Sequence, residues 1–293
     1  MTNNNIAKIC TVAAALLVPT LTFAGTTTVK PSKQPVEQIK ESAISADLGV
    51  NVVSEYILRG VVQENQGVIA QPFADFYFRL YQGDGAINKV SLNLGLWSSI
   101  HDKNAGAGTT QNWYEFDYTI GLAVTFLKDF TATLSYLEYL SPNDAFLTSR
   151  NINLNLAYDD TDLLGAFALH PHVAVLAEVG GPGYSGIFAP NRSNGWYYEA
   201  GIAPSYSPCE GLTLTLPLTL GLGDDRYYNG DTYGYFSAGL TATMPLTFVP
   251  QAYGVWTANA GYTYYNLGDE AAKTDARNDE THHVFQAGVT VAF

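Results

Sequence analysis

Beyond its first 24 residues the chain has a single cysteine, Cys209, which excludes a disulfide framework even in a compartment that would allow one. Positive charge is also scarce. With Lys8 set aside, 13 Lys and Arg face 27 Asp and Glu, a formal net charge of −14, so nucleic acid is excluded as a partner. No apolar run after residue 24 approaches the ~20 residues that a membrane-spanning helix needs. The one sustained apolar stretch lies at the start. Lys8 precedes Ile9 to Val18, and Thr22-Phe23-Ala24 follows with small residues flanking Phe23, the pattern of a secretory signal peptide cleaved after Ala24. Cys10 lies inside that segment without the small-residue context of a lipoprotein site. Residues 25–45 are rich in Thr, Lys and Pro and read as a flexible periplasmic leader.

Aromatic residues and glycine are plentiful: 20 Tyr, 14 Phe and 27 Gly accompany a hydrophobic share of 47%. The apolar residues are dispersed with a period of two, which is the signature of strands with one oily and one polar face. Leu48, Val50, Val52, Tyr56 and Leu58 alternate with Asp47, Gly49, Asn51, Glu55 and Arg59. Twelve such segments are predicted: 46–59, 69–81, 89–101, 112–126, 130–141, 150–158, 168–179, 196–206, 212–222, 234–246, 254–266 and 281–293. Pro171 interrupts the seventh, and Leu163 to Ala168 before it has the character of a short helix.

A soluble sandwich alternates too, but these segments are longer than the ~5–6 residues usual in globular sheets and match what a tilted strand needs to cross a bilayer. Joins at 82–88, 127–129 and 207–211 are short, whereas 60–68, 102–111, 142–149, 180–195, 223–233 and 267–280 are long and polar. They alternate, as the two ends of an outer-membrane barrel do. Aromatics gather at both ends: Tyr56, Trp113, Tyr114, Tyr136, Trp196, Tyr198, Tyr235 and Phe236 near the long joins, and Tyr81, Phe126, Phe130 and Phe293 near the short ones. Two such belts are expected at two membrane interfaces. The fold expected is an all-β, antiparallel up-and-down transmembrane barrel of about twelve strands, in one domain spanning 46–293.

Parity then assigns faces. If even residues of the first strand meet lipid, the lumen collects Asp47, Glu55, Arg59, Asp75, Arg79, Lys89, Glu115, Asp117, Glu178 and Glu199. An Arg or Lys facing mid-bilayer lipid costs ~2–4 kcal/mol, which enforces that assignment. The acidic excess suits a selectivity lining for cations or neutral polar solutes. The same residues also suit a self-neutralising network filling a narrow lumen. Phe285, Ala287, Val289, Val291 and Phe293 form the lipid face of the closing strand, which is expected to pair with the first strand near Leu48 to Leu58. Phe285, Val289, Val291 and terminal Phe293 resemble the signal read by barrel assembly machinery.

Other chemistry is thinly represented. Ser99 and His101 share a strand face, the minimum for a nucleophile and its base, but parity turns Ile100 and not this pair toward lipid. His170 and His172 also share a face, with Glu178 as a third metal donor, yet two His at i and i+2 are a weak ligand set. His282 and His283 point to opposite faces. Gly181-Pro182-Gly183-Tyr184-Ser185-Gly186 spells a nucleotide motif without a following helix. Asp159-Asp160-Thr161-Asp162 and Asp224-Asp225 read as solvated turns. No cofactor, metal or enzymatic step is assigned.

The stretch Ser54-Glu55-Tyr56-Ile57-Leu58-Arg59-Gly60-Val61-Val62-Gln63, followed by Gln71-Pro72, resembles the first hairpin of the TorF-like porin family, S-x-Y-x-x-R-G-x-x-Q. Val61-Val62 departs from the polar residue common before that Gln, and the leader is longer than the family suggests. The resemblance implies a Gram-negative outer-membrane barrel with a channel role. The partners expected are outer-membrane lipids, the assembly machinery and small solutes, and the apolar outer surface allows an oligomer.

Overall fold

The structure, a computed structural model, describes residues 42–103, 112–181 and 194–293. The segment read as a signal peptide, nearly all of the segment read as a leader, and the motif from Pro182 onward lie outside the described residues. Strand alternation decides the architecture. In β8 (Ser149–Tyr158), Asn151 and Asn155 are 0% and 1% exposed, while Ile152 and Leu154 between them are 43% and 51% exposed. That pattern is a globular strand inverted, with amides inside and aliphatics outside. It is stable only where the outer medium is oily and the inner one wet.

The strands in chain order are β1 (Ile44–Val53), β2 (Tyr56–Leu58), β3 (Val61–Glu64), β4 (Ile69–Gln82), β5 (Ile87–His101), β6 (Trp113–Phe126), β7 (Phe130–Leu140) and β8. They continue as β9 (His172–Gly180), β10 (Trp196–Ile202), β11 (Ser205–Cys209), β12 (Leu212–Thr215), β13 (Leu218–Gly223), β14 (Tyr233–Pro245), β15 (Val255–Leu267) and β16 (Thr281–Ala292). All but β2 and β3 form one antiparallel sheet in which β1 pairs with β4 on one side and β16 on the other. The sheet is therefore closed, and among its described strands only β11 has a single ladder partner, β12.

The sheet has twelve staves, because β10 with β11 and β12 with β13 are single staves interrupted at Pro204 and Pro217. Proline has no N–H to give the ladder, so a stave breaks there. The ladder nevertheless stays tied: Leu216 N–H donates to the Pro204 carbonyl (2.9 Å) and Gly239 N–H to the Pro217 carbonyl (2.8 Å).

Three expectations are corrected. The first strand does not run to Arg59: β1 stops at Val53, and the closing register runs from Asp47 opposite Ala292 to Val53 opposite Gln286. Its other end starts earlier, at Ile44, inside the stretch assigned to the leader. The seventh stave begins at His172, preceded by a helical turn at Thr161–Leu164 and a 3-10 turn at Gly165–Phe167. The short-turn end is also less uniform than expected, since 159–171 and 246–254 are substantial connections there.

The aromatic belts need revision as well. Tyr56, Tyr114 and Tyr235 are 6%, 7% and 3% exposed and face inward. For Tyr114 the cause is a bulge: the β5–β6 register shifts between Ser99 opposite Glu115 and Ile100 opposite Trp113. The extra residue turns Trp113 outward and Tyr114 inward, a parity change that no period-two count anticipates. Trp113, Trp196, Tyr198 and Phe236 remain exposed on the outer surface near the long loops, and Tyr81 and Phe293 near the short turns. Phe130 stacks between Phe126 and Tyr158 at 5.7 and 4.6 Å. Of the closing residues, Phe285 is exposed, but Val291 is buried beneath Gly254.

Candidate functional site

The residues between β1 and β4 do not stand above the barrel but turn into it as the hairpin β2–β3. Its contacts reach around the whole wall. The Tyr56 hydroxyl donates to Glu115 on β6 (2.8 Å), and the Tyr114 hydroxyl donates to Gln63 (2.7 Å). On the far side Val62 N–H donates to the Thr274 hydroxyl (2.9 Å), and the Asn65 amide to Asp275 (2.6 Å). At its base Glu55 meets His282 Nδ1 at 2.7 Å, and Phe285 N–H donates to the Ser54 hydroxyl (2.9 Å).

Arg59 occupies the tip. Its guanidinium donates to the Tyr139 hydroxyl (2.6 Å) and the Tyr227 hydroxyl (3.5 Å), and lies 5.6 and 5.4 Å from the ring centres of Tyr139 and Tyr197. The Tyr228 hydroxyl donates to the Arg59 carbonyl (2.7 Å). Arg59 and Gly60 have φ of 50° and 78°, which puts two left-handed residues in succession. That geometry admits glycine readily and arginine at a cost of ~1–2 kcal/mol. A side chain on Gly60 would also meet the Gly234 carbonyl at 3.0 Å. Every fixed residue of S-x-Y-x-x-R-G-x-x-Q thus has a place in this inward hairpin.

Behind the tip, Val61 is buried against Leu176, Tyr197, Tyr227, Tyr228 and Tyr235. Burying such a valine contributes ~1.5–3 kcal/mol. The lumen is therefore constricted at its long-loop end by hairpin and tyrosines together.

The ten candidate lumen residues divide by position. Asp47 on β1 stands opposite Asp75 on β4, and the Tyr77 hydroxyl bonds Asp47. Glu115 and Asp117 follow on β6, close enough to Arg59 for its charge to act on both. Across the lumen, Glu199 accepts from the Tyr197 hydroxyl (2.5 Å) and faces His172 Nε2 (3.3 Å), while Glu178 accepts from Gly195 N–H (2.9 Å). Glu55 and Arg59 are inside but on the hairpin and not on the wall. Arg79 lies toward the short-turn end, and Lys89 is exposed at that rim, displaced by a register shift between Ile87 and Lys89.

Lining and filler are both present. Glu55, Glu115, Glu178 and Glu199 are fixed by Tyr, His or backbone donors, whereas Asp75 and Asp117 border open space. Sequence reasoning missed Glu64, which reaches toward His101, and the inward tyrosines, whose spacing resembles that of belt residues. It also missed a cluster on the outer surface: Glu138 accepts from the Tyr118 and Tyr136 hydroxyls and pairs with Arg150 at 3.2 Å.

Ser99 and His101 do meet, Oγ to Nε2 at 2.7 Å, and Nδ1 lies 3.9 Å from Glu64. Both are 0% exposed beneath Tyr114, whose ring stacks on the imidazole at 4.6 Å. A nucleophile needs an approach path, and this pair has none in the observed conformation. His170 and His172 separate: His170 faces Asp159 and Asp160 in the 159–171 connection, and His172 faces Glu199. His282 and His283 point to opposite faces, toward Glu55 and Tyr262. In the same connection Asp160 accepts from the backbone N–H of Leu169 (3.0 Å) and His170 (2.8 Å). Burial works against its ionisation, but these backbone donors outweigh it and hold the carboxyl below the usual carboxylate range. Asp224 likewise accepts from Trp196 and Tyr227 N–H, the behaviour of a turn residue.

No family model matches the chain, and no curated protein matches it. Among solved structures it is similar to an outer-membrane channel from Pseudomonas putida F1, at 10% identity over 90% of this chain and 100% of that one, TM-score 0.47. It is similar to the NanC porin at 11% identity over 85% and 99%, TM-score 0.43. It is also similar to the outer-membrane phospholipase A from Escherichia coli, at 10% over 85% and 92%, TM-score 0.43. At such identities and TM-scores below 0.5, none of these likenesses transfers an activity to this chain.

Proposed function

We propose that this chain is an outer-membrane channel for passive passage of small polar or cationic solutes, with the β2–β3 hairpin as its constriction. One observation carries the reading. Asn155 has both amide atoms, and Asn151 its Oδ1, buried on the lumen face without a hydrogen-bond partner among the described residues. An unsatisfied buried amide atom costs ~1–3 kcal/mol, and three such atoms on one strand face fit a polar lumen and not a dry aliphatic core. A barrel with a dry, packed interior would carry aliphatics there instead.

The outward aliphatics, the aromatics near both rims and the signal-like first 24 residues support export to the outer membrane. Its lipids and the barrel assembly machinery are then the partners, with the closing residues Phe285, Val289, Val291 and Phe293 as the signal the machinery reads. The likeness of residues 54–63 to TorF-like porins points the same way. Acidic side chains outnumber Arg59 and Arg79 inside, which favours cations over anions.

The test is current through planar bilayers containing purified protein. Cation-preferring conductance is expected, with the preference reduced in Glu115→Gln and Asp117→Asn. A second reading, a closed barrel whose loops bind ligands at the surface, is favoured by the hairpin itself, which fills the mouth. Bilayers that stay silent over many insertions of heat-modifiable protein would select it.

A further inference from the structure

Gly95 on β5 lacks the side chain that the other inward positions carry, and its absence opens a niche in the lumen wall. The niche has a volume of about 20 Å³ and is bordered by Asp75, Trp97, Asp117, Thr119 and Tyr139. Registers explain the grouping: Asp75 stands opposite Gly95, Gly95 opposite Thr119, and Trp97 opposite Asp117. A methyl group built on Gly95 would lie 2.8 Å from Asp75 Oδ1.

Two polar atoms of the residues that border it are unpaired. Trp97 is 6% exposed and its Nε1 has no acceptor, and Asp117 Oδ1 is buried with no donor, among the described residues. Of the nearby carboxylates, Glu115 bonds the Tyr56 hydroxyl and Asp117, and Asp47 bonds the Tyr77 hydroxyl. Asp75 and Asp117 therefore offer carboxylate oxygens beside Trp97 and Tyr139, surroundings that favour a hydrogen-bonding cation. The volume admits one group of water size, which fits a primary ammonium and excludes a quaternary one. The Trp97 N–H asks in addition for an acceptor within a few bonds of that ammonium.

We propose that this niche is a binding site for the ammonium of a solute bearing a neighbouring oxygen, the vicinal amino-alcohol pattern, held by Asp75 and Asp117 with its oxygen accepting from Trp97 Nε1. The proposal rests on the channel reading for access through the lumen, and names the solute class that the lumen retains. The remainder of the solute stays in the water-filled lumen, below the hairpin tip that Tyr139 also touches.

The experiment titrates full-length protein in detergent with ethanolamine, with ethylamine and ethylene glycol as controls, read by calorimetry and by tryptophan fluorescence. Saturable ethanolamine binding is expected, at least tenfold tighter than either control. It should be lost in Asp75→Asn and Asp117→Asn. Gly95→Ala should weaken it at least tenfold, because the added methyl displaces the Asp75 carboxylate. Heat-modifiable mobility shows that each variant is folded, and Trp97→Phe, which keeps the ring and removes the N–H, should equalise ethanolamine and ethylamine. Absence of saturable binding to the wild type, or binding unchanged in folded Gly95→Ala, overturns the site. Cation current without ethanolamine binding removes the niche and leaves the channel; binding without current removes the channel and leaves the niche.

Discussion

Replacing Arg59 by alanine should release the hairpin tip and widen the conducting path. The contacts of Arg59 include charged hydrogen bonds to the Tyr139 and Tyr227 hydroxyls, the shorter at 2.6 Å, and tyrosine rings within 5.6 Å. A charge-assisted bond contributes ~1.5–3 kcal/mol and a partly desolvated cation–π contact ~0.5–2 kcal/mol. Counting the 2.6 Å bond fully, and discounting the 3.5 Å one and the overlap between Tyr139's two roles, the anchoring lost is about 3–4 kcal/mol. Each 1.4 kcal/mol is tenfold, so the ratio of docked to undocked hairpin should fall by roughly 10²–10³. The remaining anchors, Glu55 to His282 and Val62 to Thr274, keep the base in place. Single-channel recording should therefore show higher open occupancy and larger conductance in Arg59→Ala. It should also show stronger cation preference, because one of the few positive charges inside is gone. Unchanged conductance and selectivity in a folded, heat-modifiable Arg59→Ala barrel would refute the hairpin as the constriction.

Gly60→Val, which places a β-branched residue at φ 78° against the Gly234 carbonyl, should destabilise the hairpin by more than 1 kcal/mol and raise protease cleavage near residues 56–64, read by limited proteolysis. Asn155→Leu should leave the barrel folded, since no partner among the described residues is lost, and should lower conductance; an unaffected current would count against a wet lumen at β8. Asp160 has a folded-state carboxyl value below its unfolded one, so its stabilisation is complete above the usual carboxylate range and fades as pH falls through the folded value. Unfolding of the wild type should accordingly steepen below about pH 4, where unfolded aspartate begins to take up protons. Asp160→Asn should flatten that dependence in denaturation midpoints measured against pH. Deleting Phe293 removes the pair of backbone bonds with Ala46 (2.9 and 3.3 Å) along with the terminal aromatic; its outer-membrane level should fall, and an unchanged level would dismiss the assembly signal.

Much of the barrel was readable because each stave obeys a two-residue period that only one environment rewards. Asn151, Asn153 and Asn155 against Ile152, Leu154 and Leu156 define inside and outside without any neighbour. The expected acidic lumen rests on the same parity. Where the period slips, the reading slipped with it: the bulge at Trp113 and Tyr114, the offset at Lys89, and the segment after Val53, whose apolar alternation continues although the chain has left the sheet.

By itself, then, the sequence determined the barrel and its count of about twelve staves, since each stave is set by local alternation and by which side chains tolerate oil or water. Only the tertiary structure decided what the lumen does with its residues. That Tyr56, Arg59 and Gln63 bridge to Glu115, Tyr139 and Tyr114, and that Gly95 leaves a niche between Asp75 and Thr119, depends on chain segments separated by tens of residues meeting across a closed wall. Closure sets those distances, and a periodicity along one strand contains no record of them.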